Sequence, residues 1–188
     1  MESVGGIFGS LEAADRARRM LVESGLAPNR IVVLPPGTSA AALGGLPGHD
    51  VDDDRFLFAH ALDLGAAVVM ALADDPEQAA VARAALADAE AEPMDEVCAR
   101  WWRSVRAGEE RFWRDAGDAT EFAEEAFRQG FIAAQRPSSR GRPYTEVMED
   151  AQHRSPWTGA SEAFRAGYER GRTWAEAHGR GRGAPAHA

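Results

Sequence analysis

The chain has no lysine. All 21 of its basic residues are arginine, which with the abundant alanine reads as the codon bias of a GC-rich genome rather than a demand for guanidinium groups. Cysteine is nearly absent too. The single Cys98 excludes an intrachain disulfide, and its place in an apolar helical pattern beside Trp101 and Trp102 suits a buried, unreactive thiol. Long hydrophobic runs are also missing. The longest uncharged stretch, Ile31 to Gly48, is interrupted by Pro35, Pro36, Pro47 and several glycines, so it cannot be a spanning helix of about 20 apolar residues. The opening Met-Glu-Ser-Val-Gly-Gly lacks the basic and apolar regions of a signal peptide. A cytoplasmic protein with no membrane contact is expected.

Positive charge is scarce in the first half. Residues 1–96 hold 17 carboxylates against 6 arginines, a net of −11, while the remainder holds 13 against 15, a net of +2. An acidic domain is a poor nucleic-acid partner, because phosphate neutralisation supplies most non-specific affinity. The arginines of the second half alternate with carboxylates, as on solvated helix faces. No nucleic acid is expected as a partner.

The elements of catalysis are missing as well. No two histidines stand three or four residues apart, so zinc-ligand spacing does not occur. Gly5-Gly6-Ile-Phe-Gly9 has the wrong spacing for a dinucleotide fingerprint and lies within the strand that would have to precede the phosphate turn. Asp50, Asp52 and Asp54 alternate as in a calcium loop, but Arg55 and Ala61 stand where that loop needs glycine and glutamate. Capping and dipole complementarity at a helix start account for the cluster. No catalytic residue, metal or cofactor is assigned, and the chain is expected to have no intrinsic hydrolase or redox activity.

What is present is a repeated strand-helix-strand pattern. Val4 to Phe8 leads through Ser10, a good N-cap, into a helix over 11–24, and Arg30-Ile-Val-Val-Leu34 follows as a strand stopped by Pro35-Pro36. Thr38 to Gly48 reads as a loop, and Phe56 to Leu64 as a short helix. Residues 66–72 form a nearly all-apolar strand. Asp75-Pro76 opens a helix over 76–89, and Ala91 to Glu96 returns as a short edge strand. These elements predict an α+β fold for residues 1–96, with a ferredoxin-like four-stranded antiparallel sheet and helices on one face.

From residue 97 the pattern is helical only. Asp118-Ala-Thr-Glu121 has the form of a capping box. Glu125-Ala-Phe-Arg-Gln-Gly-Phe131 returns 37 residues later as Glu162-Ala-Phe-Arg-Ala-Gly-Tyr168, so residues 97–178 form a helical region with an internal repeat. Two aromatics four apart lie on one helix face, and the glycine between them lets another helix approach closely. The repeats should pack on each other, with their aromatics in the core and each arginine leaving the seam for a carboxylate or carbonyl. Residues 179–188, rich in glycine and arginine, are expected to be disordered.

The chain resembles the bacterial general stress proteins of the 17M-like type. The resemblance rests on Val4-Gly-Gly-Ile-Phe-Gly-Ser10, Arg30 to Leu34, Gly65 before Val68 to Leu72, Asp75-Pro76 and Met94-Asp95. In the second half it rests on Arg128-Gln-Gly-Phe131, Tyr144-Thr-Glu-Val147 and Trp157 through Arg165-Ala-Gly-Tyr168. It implies a non-enzymatic protein induced by heat, salt or oxidative stress, and no catalytic residues. Action through association with itself or a protein partner is expected, by the sheet edge or the aromatic helical tail. Arg128, Arg165, Phe131, Tyr168 and Trp157 are the candidate binding residues. The competing expectation is a small-molecule or phosphate binder, or an enzyme, using His49, His60, His153, Arg128 and Arg165, which a concave pocket joining at least two of these side chains would favour; whether Arg128 and Arg165 converge on one cavity is the most useful observation.

Overall fold

A computed structural model describes residues 2–45, 49–115, 121–139, 142–154 and 161–179. The chain divides into two compact units, residues 1–101 and 102–188.

The first unit is built on three strands, β1 (Glu2–Phe8), β2 (Ile31–Leu34) and β3 (Ala67–Ala73). They are ordered β1-β3-β2, and both pairings are antiparallel. Gly5 lies opposite Met70, and Val32 shares that partner from the other side. α1 (Leu11–Glu23) joins β1 to β2, α2 (His49–Asp63) lies between β2 and β3, and α3 (Pro76–Asp88) follows β3. The Ser10 side chain caps α1 by accepting from the Ala13 N–H, and that of Asp75 caps α3 by accepting from Gln78. Each bond satisfies an orphan donor of the first turn.

Alternation of side chains along the strands sorts the helices into layers. Val4, Phe8, Ile31, Val69 and Ala71 pack with Ala14, Ala17 and Leu21 of α1 and Ala79, Ala82 and Leu86 of α3. Alanines on both helices let them lie close to the sheet. The opposite face meets α2: a Cβ on Gly5 would fall 2.5 Å from the Phe58 ring, whereas one on its neighbour Gly6 would meet Leu86 of α3. The two helices expected on one face, over 11–24 and 76–89, do share it, but α2 covers the other, and the all-apolar character of β3 follows from its burial on both sides.

The expected fourth strand is also absent from the described residues, so the sheet is not the four-stranded ferredoxin-like one. After α3 the chain turns at Glu90, whose φ is 64°, and Ala91 donates back to the Leu86 carbonyl. Glu92 then donates one bond to the Ile7 carbonyl, at 2.9 Å. A second bond to β1 would come from Met94, two residues on, but Met94 already opens α4 (Met94–Asp115), and the Pro93 carbonyl accepts from Val97. Asp95 and Glu96 in the first turn favour that helix start. The stretch Thr38 to Gly48, expected as a loop, contains a short 3-10 segment, Ala40–Gly45.

Three helices end in the same motif, two with glycine and one with glutamate. Gly25 after α1, Gly65 after α2 and Glu90 after α3 take left-handed backbone, and Leu26, Ala66 and Ala91 each close a bond from the sixth residue to the first. Glycine carries no penalty there, but glutamate costs about 1–2 kcal/mol. Glu90→Gly is therefore expected to stabilise the first unit by about 1 kcal/mol, partly offset by the greater freedom of glycine in the unfolded chain. Urea melts of the two proteins check this. The exposed Arg16–Glu90 pair, 3.8 Å apart, is too solvated for its loss to reverse the sign.

The second unit begins within α4 and continues through α5 (Glu121–Gln135), a 3-10 turn (Pro137–Ser139), α6 (Tyr144–Arg154) and α7 (Ser161–Gly179). The capping-box residues 118–120, Trp157 and the tail from residue 180 lie outside the described residues. Phe127 meets Gly167, and Phe131 meets Gly171, so α5 and α7 run in the same direction. The repeat makes the contact reciprocal. A Cβ on Gly130 would sit 2.1 Å from the Phe164 carbonyl oxygen, and one on Gly167 would sit 2.0 Å from that of Phe127. Small residues recur every fourth position on both helices, Ala126, Gly130 and Ala134 against Ala163, Gly167 and Gly171, all of them buried. Backbones in such contact gain close packing and weak Cα–H···O bonds.

Candidate functional site

Two of the residues that the sequence singles out in the second unit, Phe131 and Tyr168, fall inside its framework. Phe131 is fully buried, edge-on to Trp102 at 5.5 Å between centroids and 6.0 Å from Trp174. Tyr168 is its counterpart in the repeat, and this difference, one of two between the copies beside Gln129 against Ala166, has a local cause. The Tyr168 hydroxyl donates to the Ser139 carbonyl at 2.8 Å, where a buried O–H needs an acceptor; Phe131 lies among indole rings. Around Tyr168, the second apolar cluster takes in Phe164, Val147 and Ala151. These aromatics are core.

The two arginines do not converge. Arg128 donates to Glu125 at 2.7 Å, one turn earlier on α5. Arg165 donates to Glu169 at 2.9 Å on α7, and its guanidinium lies 5.4 Å from the Tyr144 ring centre. Each thus has its own carboxylate, as expected for residues that leave an apolar seam. His60 lies on α2 in the first unit, and the side chains of His49 and His153 are outside the described set.

Two cross-helix ion pairs were not foreseen from sequence. Arg106 of α4 makes a two-pronged contact with Glu124 of α5, through Nε and, at 2.6 Å, through Nη2. Arg170 of α7 grips Glu109 in the same way, at 2.5 and 2.9 Å, with the Glu109 side chain only 5% exposed. Their partners stand 18 and 61 residues apart, beyond any helical periodicity that a sequence could display. Gln135 adds a buried polar tie between the parallel helices, its amide donating to the carbonyls of Phe131 and Gly171 at 3.1 Å each.

The bond from Arg106 holds the Glu124 carboxyl below its usual range; burial opposes this, and the charge of Arg106 and the Trp102 indole N–H act with the bond. A depressed folded value stabilises the unit fully above the unfolded value, near 4.5, and that contribution is lost as pH falls through the folded one. The melting temperature of the wild-type protein should therefore fall more steeply below about pH 4.5 than that of Glu124→Gln, which has no proton to gain. Thermal melts between pH 7 and pH 3 check the difference in slope.

In the first unit, the feature left open is an edge. β3 pairs with β2 on one side, and among the described residues no strand pairs with β2 on the other. Ile31-Val-Val-Leu34 carries no charge, and Val32 and Val33 are half-buried. Arg30, next to the strand, pairs with Asp74 at 2.9 Å. Edge strands in stable monomers are commonly blunted by shortness, charge, proline or a bulge; β2 has 4 residues, and Pro35-Pro36 follow it. Among the described residues no group of three or more His, Cys, Asp or Glu side chains is placed to hold a metal ion, and no helix is long and apolar enough to cross a membrane.

No protein-family model, curated protein or solved structure matches the chain.

Proposed function

We propose that this chain is a non-catalytic protein of the bacterial general stress response that acts by association, with copies of itself or with a protein partner. The observation that carries the proposal is the contrast between the two places where association was expected. The aromatics of the helical unit, Phe127, Phe131, Phe164 and Tyr168, are committed to its core, and Arg128 and Arg165 are committed to Glu125 and Glu169. The backbone edge of β2 is uncharged and open to another strand. Hydrogen bonds and apolar side chains offered together at a sheet edge are a recurring mode of recognition.

The test is made in cells and in solution together. Abundance of the chain should rise on heat, salt or peroxide challenge. The native particle in gentle lysates, sized by gel filtration with light scattering, should exceed the monomer mass of 20.2 kDa. Constant abundance with a strictly monomeric particle under every condition would overturn the reading. So would turnover in broad-substrate assays that disappears on replacing His60 or Cys98.

A further inference from the structure

We infer that residues 102–110 of α4 form a clasp held shut by charge over the parallel α5–α7 pair, and that acid opens it by neutralising Glu109 and Glu124 while the pair itself stays closed. The opening concerns the helical unit alone and does not depend on association.

The helical unit has two kinds of interface. Where α5 meets α7, Ala126, Gly130 and Ala134 lie against Ala163, Gly167 and Gly171, all buried, and the Gln135 amide is the polar tie. None of these seven side chains titrates. α4 meets the same pair differently. Its Trp102 ring lies edge-on to Phe131 and 6.2 Å from Phe127. From Arg103 to Glu110, however, the only buried side chain is a carboxylate, that of Glu109. A docked helix ordinarily buries an apolar stripe; here charge stands in its place.

The clasp has two prongs of opposite sign, one to each helix. α4 offers a cation to α5, Arg106 to Glu124, and an anion to α7, Glu109 to Arg170. Both contacts are two-pronged and charge-assisted, which makes them strong while both partners are ionised. Protonation leaves each guanidinium facing a neutral carboxyl, so the cost of having drawn the pair out of water is no longer offset. Two further charges bear on the prongs: Glu110 of α4 acts on Arg106, and Arg128 of α5 acts on Glu124. The arginines keep their charge throughout the acid range, so only carboxylates change. The Glu124 carboxyl is held below its usual range, which gives the direction: its contribution is complete at neutral pH and is lost as pH falls through the folded value. A segment held by contacts of its own can open without global unfolding. Opening uncovers the faces of Phe127 and Phe131 on which Trp102 rests.

Hydrogen exchange followed by nuclear magnetic resonance on the full-length chain tests this, with the Trp102 indole N–H reporting the clasp and the Gly130 and Gly167 amides reporting the pair. The Trp102 signal is assigned by its loss in Trp102→Phe. Glu109→Gln combined with Glu124→Gln reproduces the neutral state at pH 7. In that protein the Trp102 indole should exchange at least about tenfold faster than in the wild type, with the two glycine amides unchanged. The wild type should bind an apolar dye at about pH 4 while keeping its far-ultraviolet circular dichroism, and the double variant should bind it at pH 7. An indole that stays protected in the double variant overturns the clasp. Glycine amides that lose protection together with the indole overturn its independence from the pair. If the double variant does not fold, the acid titration of the wild type decides: dye binding that appears only as the helical signal is lost overturns the inference.

Discussion

Replacing Gly167 with leucine is expected to cost the helical unit more than about 3 kcal/mol, even though leucine is the better helix former by up to about 1 kcal/mol. The reason lies in what the new side chain would strike. A Cβ at this position falls 2.0 Å from the Phe127 carbonyl oxygen and 2.8 Å from its carbonyl carbon, whereas the closest comfortable carbon–oxygen approach is about 3.3 Å. The obstacle is helix backbone and cannot turn aside as a rotamer can. The two helices must separate by more than about 1 Å, which opens the whole seam, including the reciprocal contact of Gly130 with Phe164. Overpacking of a core against movable side chains already costs roughly 1–3 kcal/mol. Gly167→Ala should therefore destabilise too, by about 2 kcal/mol, against its own propensity gain. Gly108→Ala is the control, since a Cβ there meets nothing within 4 Å; it should stabilise by up to about 1 kcal/mol. Chemical melts of the three variants give the answer, and a Gly167→Leu protein as stable as the wild type would reduce the repeat to coincidence.

That glycine seam was legible because it is written twice. A motif repeated at 37 residues, with its aromatics four apart and its glycine between them, states both which face is buried and how near the neighbour comes. The strands β1, β2 and β3 were legible for a related reason, as short apolar runs bounded by glycine, proline or capping residues. The failure at Ala91 to Glu96 is instructive. Its apolar and polar residues alternate well enough for a strand, but a proline is rare inside one, and Asp95 with Glu96 just after it fits a first helical turn. α2 was recognised only from Phe56 onward, and nothing in its sequence said which face of the sheet it would cover; Phe58 against Gly5 decides that through a contact 53 positions away. For the candidate site the limit was different. Arg128 and Arg165 look like a pair because the repeat aligns them, yet each is closest to a carboxylate on its own helix. Sequence symmetry between two cations does not imply a shared anion.

Phe127→Ala should be the second severe change, with an expected loss of about 3–5 kcal/mol, a large share of the roughly 5–15 kcal/mol that holds an ordinary domain folded. The ring is fully buried, stacks on Phe131 at 6.2 Å between centroids with an interplanar angle of 30°, and lies 6.2 Å from Trp102. Truncation leaves a cavity that the seam cannot close. The Phe127 backbone is already pinned against Gly167, so the surrounding helices have no slack with which to collapse into the space. Phe164→Ala, at the equivalent place in the second copy, removes a ring just as buried and should cost a similar amount. The two variants should differ in what they disturb. Phe127 belongs to the aromatic ladder with Trp102, Phe131 and Trp174, whereas Phe164 packs in the cluster with Val147, Ala151 and Tyr168. Near-ultraviolet circular dichroism of the folded proteins should therefore change in the tryptophan region for Phe127→Ala and remain close to the wild type for Phe164→Ala. Equal spectral changes would mean that the two faces of the helix pair are not packed independently. A loss below about 1 kcal/mol at either site would mean that the parallel pair is held by its charged rim of Arg106–Glu124 and Arg170–Glu109 and not by its aromatic core.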